Sequence, residues 1–74
     1  MPEQADTTTL RLTVNGQHMA VNAASLSALL RRLELDDSAV VAEVNGAITA
    51  RENFSQTLLR DGDVIELVRF VGGG

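Results

Sequence analysis

The sequence contains no cysteine, lysine, tryptophan or tyrosine. The missing cysteine excludes disulfides, thiolate zinc sites, iron–sulfur clusters and a thiol nucleophile. A single histidine, His18, cannot complete a metal site, and a general base demands more than one strand histidine supplies, so His18 is assigned no role. No GxGxxG, P-loop or nucleophile elbow occurs. Apolar runs reach only a few residues, far short of the ~20 that span a bilayer as a helix. Met1-Pro2-Glu3-Gln4 has neither the basic nor the apolar character of a secretory signal. These features predict a cytoplasmic protein.

The 74 residues suffice for one small domain, and ten acidic against six basic residues give a net charge of −4. Such a surface repels phosphate backbones and argues against a nucleic-acid partner. All six basic residues are arginine, which codon composition explains most simply. The same fact leaves no ε-amine that could capture an activated acyl group.

Residues 1–7 are polar and read as a flexible leader. From Thr9 to Val14 the pattern alternates strictly, with Leu10, Leu12 and Val14 on one face. A period of two with β-branched filler means a half-buried strand. Asn15-Gly16 tolerates the positive φ of a tight hairpin turn, so His18–Val21 should return antiparallel with Met19 and Val21 inward. Ser25 precedes Leu26, Leu29, Leu30 and Leu33, a helical stripe for which the serine is a fair N-cap. The stripe predicts a helix of about 11 residues to Leu35, stopped by Asp36-Asp37-Ser38. Val40–Val44 is a third strand, followed by an Asn45-Gly46 turn and a short extended piece, Ala47-Ile48-Thr49. Arg51–Phe54 reads as a helical turn or loop, and Ser55–Arg60 is ambiguous. Asp61-Gly62-Asp63 is a turn, and Val64–Phe70 the last strand. Hairpin, helix, strand, short strand, strand is an α+β arrangement, with one main helix across a mixed sheet of four to five strands over residues 8–71.

The paired acids hold no evident chemistry. Asp61-Gly62-Asp63 lacks the further oxygen ligands of a calcium loop, and Asp36-Asp37 reads as a helix exit. What remains is the end of the chain. Gly72, Gly73 and Gly74 bring conformational entropy and no packing area. A frayed end is the plain alternative. The functional reading is a tail that threads another protein's narrow active site, with three residues reaching roughly 10 Å and an unencumbered α-carboxylate at Gly74. A free carboxylate is a poor electrophile, so an ATP-using partner would first have to activate it. Alternation also places Glu66, Val68 and Phe70 on the outer face of the last strand, with Val41 and Glu43 beside them. Val41, Val68 and Phe70, with Val71 following, predict an apolar docking patch rimmed by acids and leading to the tail.

Taken together, Val44-Asn45-Gly46, Arg51-Glu52, Asp61-Gly62-Asp63-x-Ile65 and Gly73-Gly74 resemble the ThiS family, the sulfur carrier proteins of thiamin biosynthesis, over residues 8–74. Ala50 stands where the family pattern would have proline, and Gly72 is an added glycine. The resemblance implies a ubiquitin-like β-grasp fold and a protein that is not an enzyme, binds no cofactor or metal, and is a monomer when free. It implies that a partner adenylyltransferase uses ATP and Mg to adenylate Gly74, and that a persulfide charged by a cysteine desulfurase converts it to a thiocarboxylate. Thiazole synthase would then draw on that sulfur. The small subunit of molybdopterin synthase or another β-grasp sulfur carrier is the nearest alternative, although Phe70-Val71-Gly72 lacks the prolines expected of that subunit. A ubiquitin-like protein modifier and a passive β-grasp binding module are the others.

Overall fold

The computed structural model describes residues 9–69. Strands β1 (Leu10–Val14) and β2 (Gln17–Val21) form the opening hairpin. Asn15 and Gly16 take φ of +51° and +82°, the left-handed backbone that a two-residue turn matching the strand twist requires. Helix α1 (Leu26–Arg32) follows, then β3 (Val40–Val44), β4 (Ala47–Thr49) and β5 (Val64–Arg69). The five strands make one mixed sheet in the order β2-β1-β5-β3-β4. β5, last in the described chain, lies in the centre, parallel to β1 and antiparallel to β3.

Alternation lays Leu12, Val14, Val40, Ala42, Ile65 and Leu67 on the inner face, where they are buried with Leu26, Leu29 and Leu30 of α1. Met19 and Val21 are half-buried against this core, as the hairpin pattern predicts. Ser25 caps α1, its hydroxyl accepting the Ala28 N–H at 3.1 Å. A second free N–H of the first turn, that of Leu26, is met by the Thr57 carbonyl at 2.9 Å.

The helix is shorter than its leucine stripe predicts. It ends at Arg32, because Glu34 enters the left-handed region at φ +61°. Glu34 then donates to the Arg31 carbonyl at 3.0 Å and Leu35 to the Leu30 carbonyl at 2.8 Å. These two bonds satisfy carbonyls that the helix end would otherwise leave open. Leu33 and Leu35 still pack against the core, so the apolar spacing outlasts the helix itself. Asp36 therefore does not stop the helix; it caps a 3₁₀ turn, Asp37–Ala39, by accepting the Ser38 N–H.

The stretch that the sequence leaves ambiguous takes a definite form. A 3₁₀ segment runs from Arg51 to Gln56, and its Phe54 is buried at 1% exposure. Leu59 is buried too, with its N–H on the Ala24 carbonyl. This segment seals the core beside α1, a role the sequence pattern does not reveal.

Candidate functional site

The outer face of the sheet carries the predicted docking residues that fall within the described chain. Val41 and Val68 are direct cross-strand partners, Val41 half-buried and Val68 60% exposed. Phe70, Val71, Gly72, Gly73 and Gly74 lie outside the described residues.

The acids border the Val41–Val68 pair on the side towards the start of β5. Glu43 stands opposite Glu66, one outward row further along the β3–β5 ladder. Val64, 43% exposed, follows on the same face. The carboxylates therefore separate the Val41–Val68 row from Val64, because alternation and register together put Val, Glu and Val in successive outward rows of β5. Like charges directly opposite each other are destabilising.

Ile48, 71% exposed, extends the Glu row outward as the β4 partner of Glu43. Sequence reasoning missed it. The signal was available: a two-residue Asn45-Gly46 turn pairs Val44 with Ala47, and so Glu43 with Ile48.

Two asparagines at the hairpin turns grip β5 from opposite edges. Asn15 donates its backbone N–H to the Ile65 carbonyl at 2.9 Å. Its side-chain Oδ1 accepts the Leu67 N–H at 2.7 Å, and Nδ2 donates to the Leu67 carbonyl at 3.1 Å. On the other edge, Asn45 donates its N–H to the Val64 carbonyl at 2.7 Å, and its Oδ1 accepts the Val64 N–H at 2.9 Å. Asn45 Nδ2 also donates to Asp63 at 3.0 Å. These Asn-Gly pairs are thus more than turns.

The Asp61-Gly62-Asp63 turn is structural in the same way. Asp61 accepts the Arg11 N–H at 2.7 Å, and Gly62, at φ +91°, donates to the Arg11 carbonyl at 2.6 Å. The backbone N–H of Arg11, and then its guanidinium at 3.4 Å, hold the Asp61 carboxyl below the usual carboxylate range. Asp63 accepts from the Arg60 N–H at 2.8 Å. Both carboxylates of the turn are engaged by protein donors. The Asp36 carboxyl is lowered in a similar manner, by its two bonds from Ser38. Among the described residues no group of three or more His, Asp or Glu is placed to hold a metal ion. His18 Nδ1 lies 3.2 Å from Thr13 Oγ1 across the outer face.

A central last strand, one helix across the inner face and an outward apolar–acidic patch define a β-grasp domain of the ubiquitin-like kind. The ThiS family model matches residues 8–74. Sulfur carrier protein ThiS of Bacillus subtilis is 35% identical over 65 residues, covering 85% of this chain and 98% of that one. A crystal structure of the thiamine biosynthesis protein ThiS from Geobacter metallireducens superposes with a TM-score of 0.73 at 38% identity, covering 88% of this chain and all of that one. A thiazole synthase of Paramagnetospirillum magneticum is 35% identical over 66 residues, but this chain spans only 20% of its length. The chain belongs to the ThiS family, the sulfur carriers of thiamin biosynthesis.

Proposed function

We propose that this protein carries sulfur as a thiocarboxylate on Gly74 and delivers it for thiazole formation. The observation that carries the reading is the family match through residues 8–74, which takes in Gly73-Gly74, on a body whose described residues hold no catalytic constellation. In the first step a carboxylate oxygen of Gly74 attacks the α-phosphorus of Mg-bound ATP on a partner adenylyltransferase, and pyrophosphate leaves. The acyl adenylate so formed is a mixed anhydride, reactive where the free carboxylate is not. A persulfide supplied through a cysteine desulfurase then forms a C–S bond as AMP departs. A thiol cleaves the resulting acyl disulfide and leaves the thiocarboxylate. The chain is consumed and regenerated as a reagent; the catalysts are its partners.

Thiazole synthase as the receiving partner is supported by the relatives of that name that contain a matching segment. Val41, Val68, Phe70 and Val71 are the proposed docking residues, with Ile48 added by the register. Gly72 and Gly73 would thread the partner's channel, since a chain without Cβ atoms fits where others clash. The acidic surface favours basic docking sites and fast encounter at low salt. No helix among the described residues is long and apolar enough to cross a membrane, and the reading places the cycle in the cytoplasm.

The test is intact-mass analysis of the protein incubated with its adenylyltransferase, ATP and a persulfide source. An oxygen-to-sulfur exchange at the terminus is expected, together with thiazole formation when thiazole synthase is added. Support of molybdopterin formation without thiazole, or isopeptide adducts in place of the exchange, would overturn the assignment. Removing Gly73 and Gly74 should abolish the exchange and leave thermal unfolding unchanged.

A further inference from the structure

β5 depends on its neighbours unequally along its length. On the β3 side, pairing continues to the end of the strand, with Ala42 opposite Leu67, Val41 opposite Val68 and Val40 opposite Arg69. On the β1 side, strand pairing stops early: Thr13 pairs with Val64 and Val14 with Ile65, and then the chain turns into β2. The Asn15 side chain takes over at that point. Its amide meets both backbone groups of Leu67, as one further β1 residue would. It is the last hold on that edge among the described residues, two positions before β5 ends at Arg69.

We propose that Asn15 is a positioning residue for the tail: by clasping Leu67 it fixes the direction in which β5 leaves the sheet, and so the aim of the Gly74 carboxylate into a partner's active site. The inference rests on the carrier reading above. Without the clasp, the backbone of Leu67–Arg69 is paired on the β3 edge only, with the Leu67 side chain still in the core, and the strand end gains freedom to swing about that edge. Because reactions depend steeply on placement of the reacting atoms, such a swing costs turnover rather than docking.

The molecule supplies its own control. Asn45 grips β5 in a related way at the strand's beginning, with its backbone N–H on the Val64 carbonyl and its Oδ1 accepting the Val64 N–H, while its Nδ2 goes to Asp63 instead of a β5 carbonyl. Both asparagines occupy positive φ, +51° and +52°, which glycine tolerates without strain. Asn15→Gly and Asn45→Gly therefore keep their turns and lose only the side-chain clasps. Two roles separate cleanly: a structural clasp affects stability from either end, and a positioning clasp affects chemistry only from the tail end.

The experiment measures adenylation of each variant by the partner adenylyltransferase with Mg-ATP, read by pyrophosphate release, at a temperature where circular dichroism shows all variants folded. Asn15→Gly should lower kcat roughly tenfold or more with KM within about twofold of wild type, since the Val41–Val68 docking face is intact. Faster hydrogen exchange at the Leu67 amide should accompany it. Asn45→Gly should leave both kinetic constants near wild type. Asn15→Asp, which keeps the acceptor for the Leu67 N–H and loses the donor to its carbonyl, should fall between. Unchanged kcat in folded Asn15→Gly, an increase in KM alone, or equal kcat losses in the two glycine variants would each overturn the assignment. Failure of wild type itself to be adenylated is a separate result that removes the carrier reading and this inference with it.

Discussion

Neighbouring residues of β5 live in opposite worlds. Ile65 and Leu67 are buried under the helix, whereas Glu66 and Val68, one position along, face outward and are exposed. The inner pair pack against leucines of α1. The outer pair face a like charge at Glu43 and an open patch at Val41. One face is therefore free of conflict and holds the fold together. The other retains exposed apolar groups beside a pair of like charges, and a docking role for it belongs to the proposed function.

Substitutions on the two faces should separate these roles. The largest effect is expected at the buried side of the core: Phe54→Ala should cost about 3–5 kcal/mol of stability, a large share of what so small a domain possesses, and urea denaturation measures it. Ile65→Ala, on the inner face of β5, should cost about 2–5 kcal/mol in the same assay. Removing the helix cap with Ser25→Ala should cost about 1 kcal/mol. On the outer face the sign reverses: Glu43→Gln should relieve the repulsion from Glu66 and raise stability by about 0.2–1 kcal/mol. Val68→Ala should change stability by no more than about 0.5 kcal/mol while weakening partner binding in a titration. A loss of several kcal/mol there would show that the outer face is structural after all.

Acid should act through the turn that docks on β1. The Asp61 carboxyl is depressed by the Arg11 N–H and guanidinium, so the folded state holds its proton less tightly than the unfolded chain. Stability from this source is fully present above the unfolded value of about 3.9 and is lost as pH falls through the lower folded value. Melting temperatures measured across that range should therefore fall less steeply for Asp61→Asn than for wild type. An identical slope would remove Asp61 from the acid response.

Most of the elements are legible in the amino-acid pattern. The alternating run from Thr9 to Val14 is a strand over Leu10–Val14, Val40–Val44 is a strand with those bounds, and both Asn-Gly pairs are turns at positive φ. The inward facing of Ile65 and Leu67 follows from the same alternation. The helix end is not legible, because Leu33 and Leu35 continue an apolar rhythm after the backbone has turned at Glu34. Phe54 and Leu59 are hidden for another reason. They sit in a 3₁₀ segment and a loop without periodicity, and only the packing of that segment beside α1 buries them. At the candidate site, alternation correctly sets Val41 and Val68 on one outer face, but the place of Ile48 and the direct pairing of Glu43 with Glu66 need the register between strands.

The sequence by itself determined whatever a few consecutive residues decide: alternation, turn chemistry and a capped helix start. Those features follow from steric and hydrogen-bonding preferences that act over a handful of bonds. Tertiary structure alone decided which strands became neighbours, that Glu43 meets Glu66, and that asparagines from two turns hold the same central strand. These depend on the burial of apolar surface by the whole chain at once, and no local preference can specify a partner some fifty residues away, as Leu67 is from Asn15.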